Sequence, residues 1–429
     1  MNDLAQELNS ILEATVAGRL LSDLGRRLYF PKGIIAQSVE AKKNAHMANA
    51  TIGMAYQNDS LMILSALQQP LAALSPEAIV AYAPTAGLEK TRQLWQKLLT
   101  EKNPSLDPNR ISLPVLVPGL TAGISYCADL FFDPCSSLCI SQPCWDNYEL
   151  IFEQRRGASL VKIPFFEAGD GLDFAGIEKA LQTRAQKEPL RLMLNFPHNP
   201  SGYTLTRSEA EQLIVLLKAI ADAGSDVLVL CDDSYFGLFY EPDCMQESLF
   251  SQLSSLHDRI LAIKIDGPTK EDFAWGLRLG FVTFGSKSLE PAHYDALIKK
   301  LMGAIRSSVS CANTPAQSLL LHCAADPRTP LEKAQYYAVL KSRYHFIKHF
   351  IDSNPPHPRL KALPFNSGYF MTFRCMGINA ELLRQELLDR HGVGTIAFGS
   401  DYLRVAFSSV DQEHLEHLYR LIYETAAVL

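Results

Sequence analysis

Lys270 carries the side chain with the most distinctive chemistry for its setting in this 429-residue chain. It follows the apolar run Leu261–Ile265 in the segment Asp266-Gly-Pro-Thr-Lys270, and Arg278 stands eight residues further on. A lysine amine is a nucleophile that can form a covalent bond with a carbonyl carbon. Because most lysines are solvated surface groups, Lys270 becomes a candidate only if other segments place it in a site.

Two more polar segments follow apolar runs. Asp232 and Tyr235 come directly after Val227–Cys231, and the loop NFPHNPSG at 195–202 follows the run RLML. Ligands of α/β sheets bind outside the carboxyl ends of the strands, so both segments could face one site. Taken alone, each segment indicates no more than a turn or the end of a buried strand.

A fourth candidate is a cation inside an apolar segment. Arg404 lies in the run Tyr-Leu-Arg-Val-Ala-Phe, which reads as a buried strand. A buried arginine needs an anionic partner. The pattern therefore predicts either a carboxylate ligand or a structural salt bridge at Arg404.

The elements that must position these residues are predicted from periodicity. Residues 85–101 and 207–223 have helical patterns; in the first, Leu88, Leu94, Leu98 and Leu99 share a face that Trp95 borders. Short apolar runs read as strands, namely Leu138–Ile140, Ser159–Ile163, Leu190–Asn195, Val227–Cys231, Leu261–Ile265 and Phe281–Gly285. Apolar strands that alternate with helices predict a mostly parallel sheet covered on both faces.

The C-terminal part has a different pattern. Long helices are predicted at about 314–352 and 379–391, with strands at 367–374 and 402–408. We therefore predict an α/β fold with a large domain at 56–312. A smaller α+β domain is expected from 313–429 together with an N-terminal arm, 1–55.

The ordered set of segments resembles the fold-type I enzymes that depend on pyridoxal 5′-phosphate, specifically the class I/II aminotransferase family that contains aspartate aminotransferase. The resemblance rests on the loop Asn199–Gly202, on Asp232 with Tyr235, on Lys270 with Arg278, and on Arg404. Three upstream segments match as well: PGLTAG at 118–123, PCWDNY at 143–148 and AYAPTAG at 81–87. For the large domain, the resemblance implies a seven-stranded sheet.

The resemblance implies how the cofactor is held. Lys270 would carry it as a Schiff base, and Asp232 would pair with the pyridine nitrogen. Tyr235 and Asn199 would donate to its phenolic oxygen, and Trp145 would stack on the ring.

The phosphate end of the cofactor has its own set of implied residues. Its oxygens would accept from the backbone N–H groups of Leu120 and Thr121 at a helix N-terminus, and from Arg278. Tyr82 would reach the phosphate of the neighbouring subunit, which implies a homodimer with shared sites.

The resemblance also implies a substrate site for an amino acid and a 2-oxo acid. Arg404 would bind the α-carboxylate, and Gly53 would close over the substrate, beside Trp145 and Asn199. Arg306 lies near the position of a side-chain-binding arginine in dicarboxylate-specific members, which hints at aspartate or glutamate; an exposed structural arginine is an equal alternative.

The sequence departs from the family pattern near Lys270. Gly267 stands where the family usually has serine, so one phosphate-binding hydroxyl is lost. The segment Glu271-Asp272-Phe-Ala-Trp is more acidic and bulkier than the usual glycine-rich run. Its acids either shape specificity near the cofactor or face solvent, and we expect the second.

Aminotransfer is the leading functional hypothesis, and three alternatives stay open. A lyase or decarboxylase would use the same lysine on a different bond. An amino-acid-sensing regulator is disfavoured because no basic recognition helix precedes the motifs. A catalytically dead scaffold is disfavoured by Lys270, Asp232 and Arg404.

Composition sets the remaining limits. A net charge of −6 argues against a nucleic-acid-binding surface. No run approaches the ~20 apolar residues that span a bilayer, and the N-terminus lacks a signal pattern. Nine scattered cysteines, with no zinc spacing around Cys135, Cys139 and Cys144, indicate reduced thiols and no metal site. We expect a cytoplasmic enzyme.

Overall fold

The computed structural model describes residues 2–12, 15, 21, 23–28, 33–68, 74–166 and 171–429. Within them the helices are α1 Asp3–Leu12, α2 Asp23–Arg27, α3 Ile34–Asn44, α4 Pro76–Val80, α5 Glu89–Lys102, α6 Leu120–Phe131, α7 Phe174–Ala185, α8 Arg207–Asp222, α9 Leu249–Leu256, α10 Pro291–Arg306, α11 Thr314–Ala325, α12 Thr329–Ser353, α13 Ala380–His391 and α14 Gln412–Val428. The strands are β1 Ala48–Asn49, β2 Tyr56–Gln57, β3 Ser60–Leu61, β4 Val115–Val117, β5 Ser137–Gln142, β6 Ser159–Pro164, β7 Leu190–Leu194, β8 Val227–Asp232, β9 Ile260–Asp266, β10 Gly280–Gly285, β11 Leu360–Ala362, β12 Phe370–Cys375, β13 Val393–Gly394, β14 Ile396–Phe398 and β15 Tyr402–Ala406.

The large sheet has seven strands in the order β4-β10-β9-β8-β7-β5-β6. Strands β5 to β9 pair in parallel, whereas β10 is antiparallel to both β4 and β9. The predicted mostly parallel sheet of seven strands is confirmed. Strand β4 was not among the predicted runs. Its three residues lie between Pro114 and Pro118, and a run of three is too short to indicate a strand from its periodicity.

Both faces of this sheet are covered. In β8, Val229 packs in the hydrophobic cluster on one face, while Leu228 and Leu230 pack in the cluster on the other. A strand buried on both sides gains from apolar residues at every position, which is why these runs do not alternate with polar residues.

Two details of the predicted helices were wrong. Trp95, placed at the border of its helix face, is 3% exposed and stacks on Phe281 with ring centroids 4.4 Å apart. The helical region predicted at 314–352 is divided into α11 and α12 by residues 326–328, where Pro327 interrupts the pattern.

A smaller antiparallel sheet, in the order β11-β12-β15-β14, supports the second hydrophobic core. Residues of the N-terminal part join it: β1 pairs in parallel with β13, and Ala50, Ala55 and Met62 pack in the same cluster as β12 and β15. This packing agrees with an arm that belongs to the smaller domain, and the boundaries 1–55, 56–312 and 313–429 stay a proposal. Among the described residues, no helix is long and apolar enough to cross a membrane.

Gly202 ties the two sheets together and gives a test of the fold. Its backbone has φ +79°, and a Cβ there would lie 1.8 Å from the Phe370 carbonyl oxygen. We expect Gly202→Ala to lower the free energy of unfolding by roughly 3 kcal/mol or more. The added Cβ disfavours the positive φ, and it forces the backbone away from the Phe370 carbonyl oxygen. Denaturant unfolding measures the change.

Gly303 in α10 is the control for this substitution, since a Cβ added there would meet no atom within 4 Å outside the backbone of its own helix. Gly303→Ala should leave stability unchanged or raise it by up to about 1 kcal/mol. Equal stabilities for Gly202→Ala and the wild type would contradict the described packing.

Candidate active site

The carboxyl ends of β7, β8 and β9 open onto one cavity of about 120 Å³. Asn195, Asp232 and Lys270 follow these strands, so the sheet topology brings together residues up to 75 positions apart in the chain. The lining residues are Leu120, Thr121, Ile124, Trp145, Tyr148, Asn195, Asn199, Asp232, Ser234, Tyr235, Thr269, Lys270 and Arg278. A larger cavity of about 590 Å³ lies at the opposite edge, where β7, β8 and β9 begin, and contains none of the predicted site residues.

Asp232 is a buried carboxylate at the floor of the site. Burial raises its pKa and outweighs the hydrogen bonds from Ser234 and Tyr148 and the charge of Lys270, which act in the opposite direction. Tyr148 Oη donates to Oδ2 at 2.6 Å, and Ser234 Oγ donates to Oδ1 at 2.5 Å. These donors stabilise the ionised form of a carboxylate that lies out of water.

Lys270 faces Asp232 across the same cavity. Its Nζ lies 4.7 Å from the centroid of the Tyr235 ring, and its carbonyl oxygen accepts a hydrogen bond from Tyr369 at 2.9 Å. Burial lowers the pKa of Lys270 to about 8; Asp232 acts against this shift and Arg278 adds to it. The amine is therefore neutral, and nucleophilic, at a lower pH than an ordinary lysine.

The other end of the cavity is built to receive an anion. Helix α6 begins at Leu120 after Gly119, which has φ +90° and provides no side-chain cap. The guanidinium of Arg278 lies over this turn, since a Cβ on Gly119 would be 2.5 Å from Arg278 Nη2. Uncapped N–H groups beside a guanidinium form an electropositive cradle.

Arg404 lies behind Asn199, at the edge of the cavity. It is 2% exposed; Nη1 donates to Asn199 Oδ1 at 3.0 Å, and Nη2 donates to the Thr51 carbonyl oxygen at 2.8 Å. Its Nε has no partner among the described residues. Burial lowers the pKa of Arg404 to about 10, and Tyr235 and Asp146 act against the shift. A buried cation with a free donor is suited to a carboxylate ligand.

The N-terminal arm reaches this edge of the site. A Cβ on Gly53 would lie 3.3 Å from both the Tyr235 hydroxyl oxygen and the Phe370 ring. Gly53 therefore allows the arm to pass close to two aromatic side chains beside Arg404.

A family model described as aminotransferase class I and II matches residues 50–422 of the chain. The chain belongs to this family. The resemblance stated from the motifs is thereby confirmed, and the chain is an enzyme of the aminotransferase type.

Sequence and structural relatives agree with this assignment. This aminotransferase is 25% identical to a probable N-acetyl-LL-diaminopimelate aminotransferase of Bacillus subtilis over 360 residues, 80% of this chain and 81% of the relative. A crystal structure of an aminotransferase from Anaerococcus prevotii has a TM-score of 0.82 at 20% identity, over 94% of this chain and 98% of that chain. LysN, an α-aminoadipate aminotransferase from Thermus thermophilus complexed with N-(5′-phosphopyridoxyl)-L-leucine, has a TM-score of 0.76 at 17% identity, over 96% and 99%.

Most of the predicted site residues of this aminotransferase come together. Leu120, Thr121, Trp145, Asn199, Asp232, Tyr235, Lys270 and Arg278 line one cavity, and Arg404 and Gly53 adjoin it. Their individual roles stay predictions.

Two predicted site residues lie elsewhere. Tyr82 is 93% exposed after α4 and does not line the cavity of its own chain. Arg306 is exposed at the end of α10, where its guanidinium contacts Ser310, and it too is absent from the lining. Within one chain, Arg306 therefore lies where an exposed structural arginine would lie.

Several residues of the site were not predicted. Tyr148 and Ser234 hydrogen-bond the Asp232 carboxylate, and Asn195 Nδ2 donates to the Asp232 carbonyl oxygen at 2.8 Å. The Asn195 Oδ1 accepts from the Asn199 backbone N–H at 2.8 Å, so one side chain joins the 195–202 loop to the end of β8. Each of these residues lies within or beside a segment that was recognised from the sequence. Their position in those segments was the signal that could have identified them.

The departures near Lys270 have a structural explanation. A Cβ on Gly267 would lie 2.8 Å from the Leu279 carbonyl oxygen, so a serine does not fit without a backbone shift. Thr269 lines the cavity instead. The expectation that Glu271 and Asp272 face solvent was wrong, because both form ion pairs with partly buried lysines.

The lowered pKa of Lys270 predicts a specific pH dependence. Because only the neutral amine reacts, acylation of Lys270 in the cofactor-free protein should reach half its maximal rate near pH 8, against about 10.4 for an ordinary lysine. Timed labelling followed by peptide mass spectrometry measures the rate, with surface-exposed Lys299 as an internal reference. A midpoint at pH 10 or above would exclude the described environment.

Proposed function

We propose that this aminotransferase exchanges an amino group between an amino acid and a 2-oxo acid, with pyridoxal 5′-phosphate bound in the 120 Å³ cavity. The observation that supports this most is that Lys270 and Asp232 line the same cavity as Arg278 and the start of α6. When bound, the cofactor supplies an electrophilic aldehyde and an electron-withdrawing ring.

The chemistry of the lining fits this cofactor. The buried Asp232 carboxylate suits a protonated ring nitrogen, and Arg278 with the N–H groups of Leu120 and Thr121 suits a phosphate dianion. Trp145 offers a flat aromatic face within the same cavity. Tyr235 and Asn199 lie between these ends and would donate to the phenolic oxygen.

Lys270 holds the cofactor and moves a proton in this proposal. A pKa of about 8 lets its Nζ take a proton from the substrate Cα and return it near neutral pH. The Tyr369 hydrogen bond to its carbonyl oxygen holds the main chain in place during that transfer.

Arg404 orients the substrate. Its buried, planar guanidinium would take the α-carboxylate as a fork, and the Phe370 ring, 4.1 Å away, keeps it from turning. Gly53 would let the arm approach the bound substrate. The donor amino acid and the acceptor 2-oxo acid would use the same contacts in alternate half-reactions.

Aspartate or glutamate as one substrate, read by Arg306, also remains a proposal. It requires the arginine to act from a neighbouring subunit, since it does not line the cavity of its own chain. A homodimer would place it there and would also cover Tyr82 and the nearby Val80, which are 93% and 79% exposed. We propose a homodimer on these grounds, and a cytoplasmic location because all nine cysteines are free thiols.

The proposed reaction is tested by single-turnover half-reactions. Protein loaded with pyridoxal 5′-phosphate should show a band at ~410–430 nm that a reactive amino acid removes, with one equivalent of 2-oxo acid formed. Lys270→Ala should lack the band that borohydride abolishes and lose at least about 10³-fold in kcat. Ammonia or CO2 released without this half-reaction would point to a lyase or a decarboxylase.

The role of Arg404 is tested by a shape-changing, charge-preserving substitution. Arg404→Lys should raise KM for the amino acid about 10- to 100-fold, because a point charge cannot form the bidentate contact. Arg384→Lys is the control, since Arg384 is an equally buried arginine that pairs with Glu381 and Glu40 away from the cavity. Equal KM values for both variants would rule out the proposed role.

A further inference from the structure

Two carboxylates follow Lys270 directly and point away from the cavity into a cluster of charges. Lys102 Nζ lies 2.7 Å from Glu271 Oε2, and Lys333 Nζ lies 3.5 Å from Glu271 Oε1 and 2.5 Å from Asp272 Oδ1. We call these four residues the lysine-loop cluster. Their charges balance, with two cations and two anions.

The lysine-loop cluster is more protected than a surface ion pair. The four side chains are between 12% and 26% exposed, and Lys102 also lies 5.7 Å from the Trp95 ring. Burial raises the pKa of Glu271, but Lys102 and Lys333 outweigh it and lower the pKa to about 2. Glu271 therefore stays ionised through neutral pH, and the attraction within the cluster is screened less than that of exposed pairs.

The cluster joins the loop after β9 to two separate helices. Lys102 is the last residue of α5 in the large domain. Lys333 lies near the start of α12, whose residues Leu340, Tyr344 and Ile347 pack in the core of the smaller domain. The loop is thus held from both domains at the two residues next to Lys270.

The loop has no long regular element of its own, and contacts with its surroundings hold its conformation; Phe273, for example, packs in the core of the smaller domain. Between β9 and β10 it forms turns and one short 3₁₀ segment, and Phe273 has φ +53°. Its main-chain contacts include Asp272 N–H to the Pro268 oxygen at 3.1 Å and Phe273 N–H to the Lys270 oxygen at 3.3 Å. Gly237, with φ +91°, makes room for Glu271, since a Cβ there would lie 2.9 Å from its carboxyl group.

We propose that the lysine-loop cluster is a positioning device that fixes the direction of Lys270 relative to Asp232 and Tyr235 and reports the placement of the smaller domain through Lys333. This inference rests on the proposed function of Lys270. Glu271, Asp272, Lys102 and Lys333 act through Lys270 and touch neither substrate nor cofactor.

The test removes one charge at a time by near-isosteric substitution. Glu271→Gln and Lys333→Gln should each lower kcat about 10- to 100-fold with less than about a threefold change in KM, because a displacement of about 1 Å at a reacting group costs that much. Lys333→Arg should retain most of the activity, since it keeps the cation. Lys97→Gln, on the exposed face of α5, is the matched control and should behave as wild type.

The pH midpoint of Lys270 acylation in the cofactor-free protein provides a readout that lost stability alone would not move. The charged or titratable groups that face Lys270 from other elements are Asp232, Tyr235 and Arg278. Lys333→Gln removes a nearby cation and should raise the midpoint, whereas Glu271→Gln removes an anion and should lower it. Each shift should be about 0.3 pH unit, the effect of one charge at about 10 Å in a largely aqueous dielectric.

Opposite midpoint shifts together with lower kcat and rescue by Lys333→Arg support the proposal. A fall in thermal stability with wild-type kcat and midpoint in both glutamine variants would overturn it, because the cluster would then be structural only. If one glutamine variant does not fold, the kcat and midpoint of the other glutamine variant, compared with those of Lys333→Arg and the wild type, decide. Wild-type half-reactions run alongside separate this outcome from failure of the proposed function, which would leave even the wild type inactive.

Discussion

The buried carboxylate of Asp232 at the end of β8 is the constraint on which the site depends. A carboxylate kept from water must be compensated, and two neutral donors, Tyr148 and Ser234, occupy its two oxygens. These contacts require the segment after β5 to reach across β7 to β8. Two cations, Lys270 and Arg278, line the same cavity as this anion. The cavity therefore contains charges of both signs.

Arg404 poses the complementary problem of a buried cation. Aromatic rings of Phe370 and Phe398 flank it, and neutral oxygens of Asn199 and Thr51 accept from it. None of these contact partners carries a full negative charge, and the nearby Asp146 carboxylate does not prevent burial from lowering the pKa of Arg404, so an anionic ligand would be favoured. Asn199 accepts a hydrogen bond from Arg404 and lines the cavity that contains Asp232. Polar groups therefore connect Arg404 of the smaller sheet with Asp232 of the larger sheet.

The sequence predicted those parts of the site that follow strong local patterns. Asp232 ends one apolar strand, Lys270 stands four residues after the end of the next, and these two strands are neighbours in the sheet. Tyr148 was missed because its bond to Asp232 spans 84 residues and no local pattern encodes it. The position of Trp95 was misjudged because its burial depends on stacking against Phe281, a tertiary contact that helical periodicity cannot express.

The loop that carries Lys270 contains a reactive amine directly followed by two carboxylates, Glu271 and Asp272, that form structural ion pairs. Glu271 and Asp272 have cationic partners within hydrogen-bonding or ion-pairing distance, so their charges are satisfied inside the protein. Lys270, one residue earlier, has an aromatic ring beside its Nζ, and its pKa is lowered to about 8. A lysine with so little compensation is poorly placed to stabilise the fold and well placed to react. The acidic residues that make this loop unusual therefore anchor the chain without neutralising the amine they adjoin.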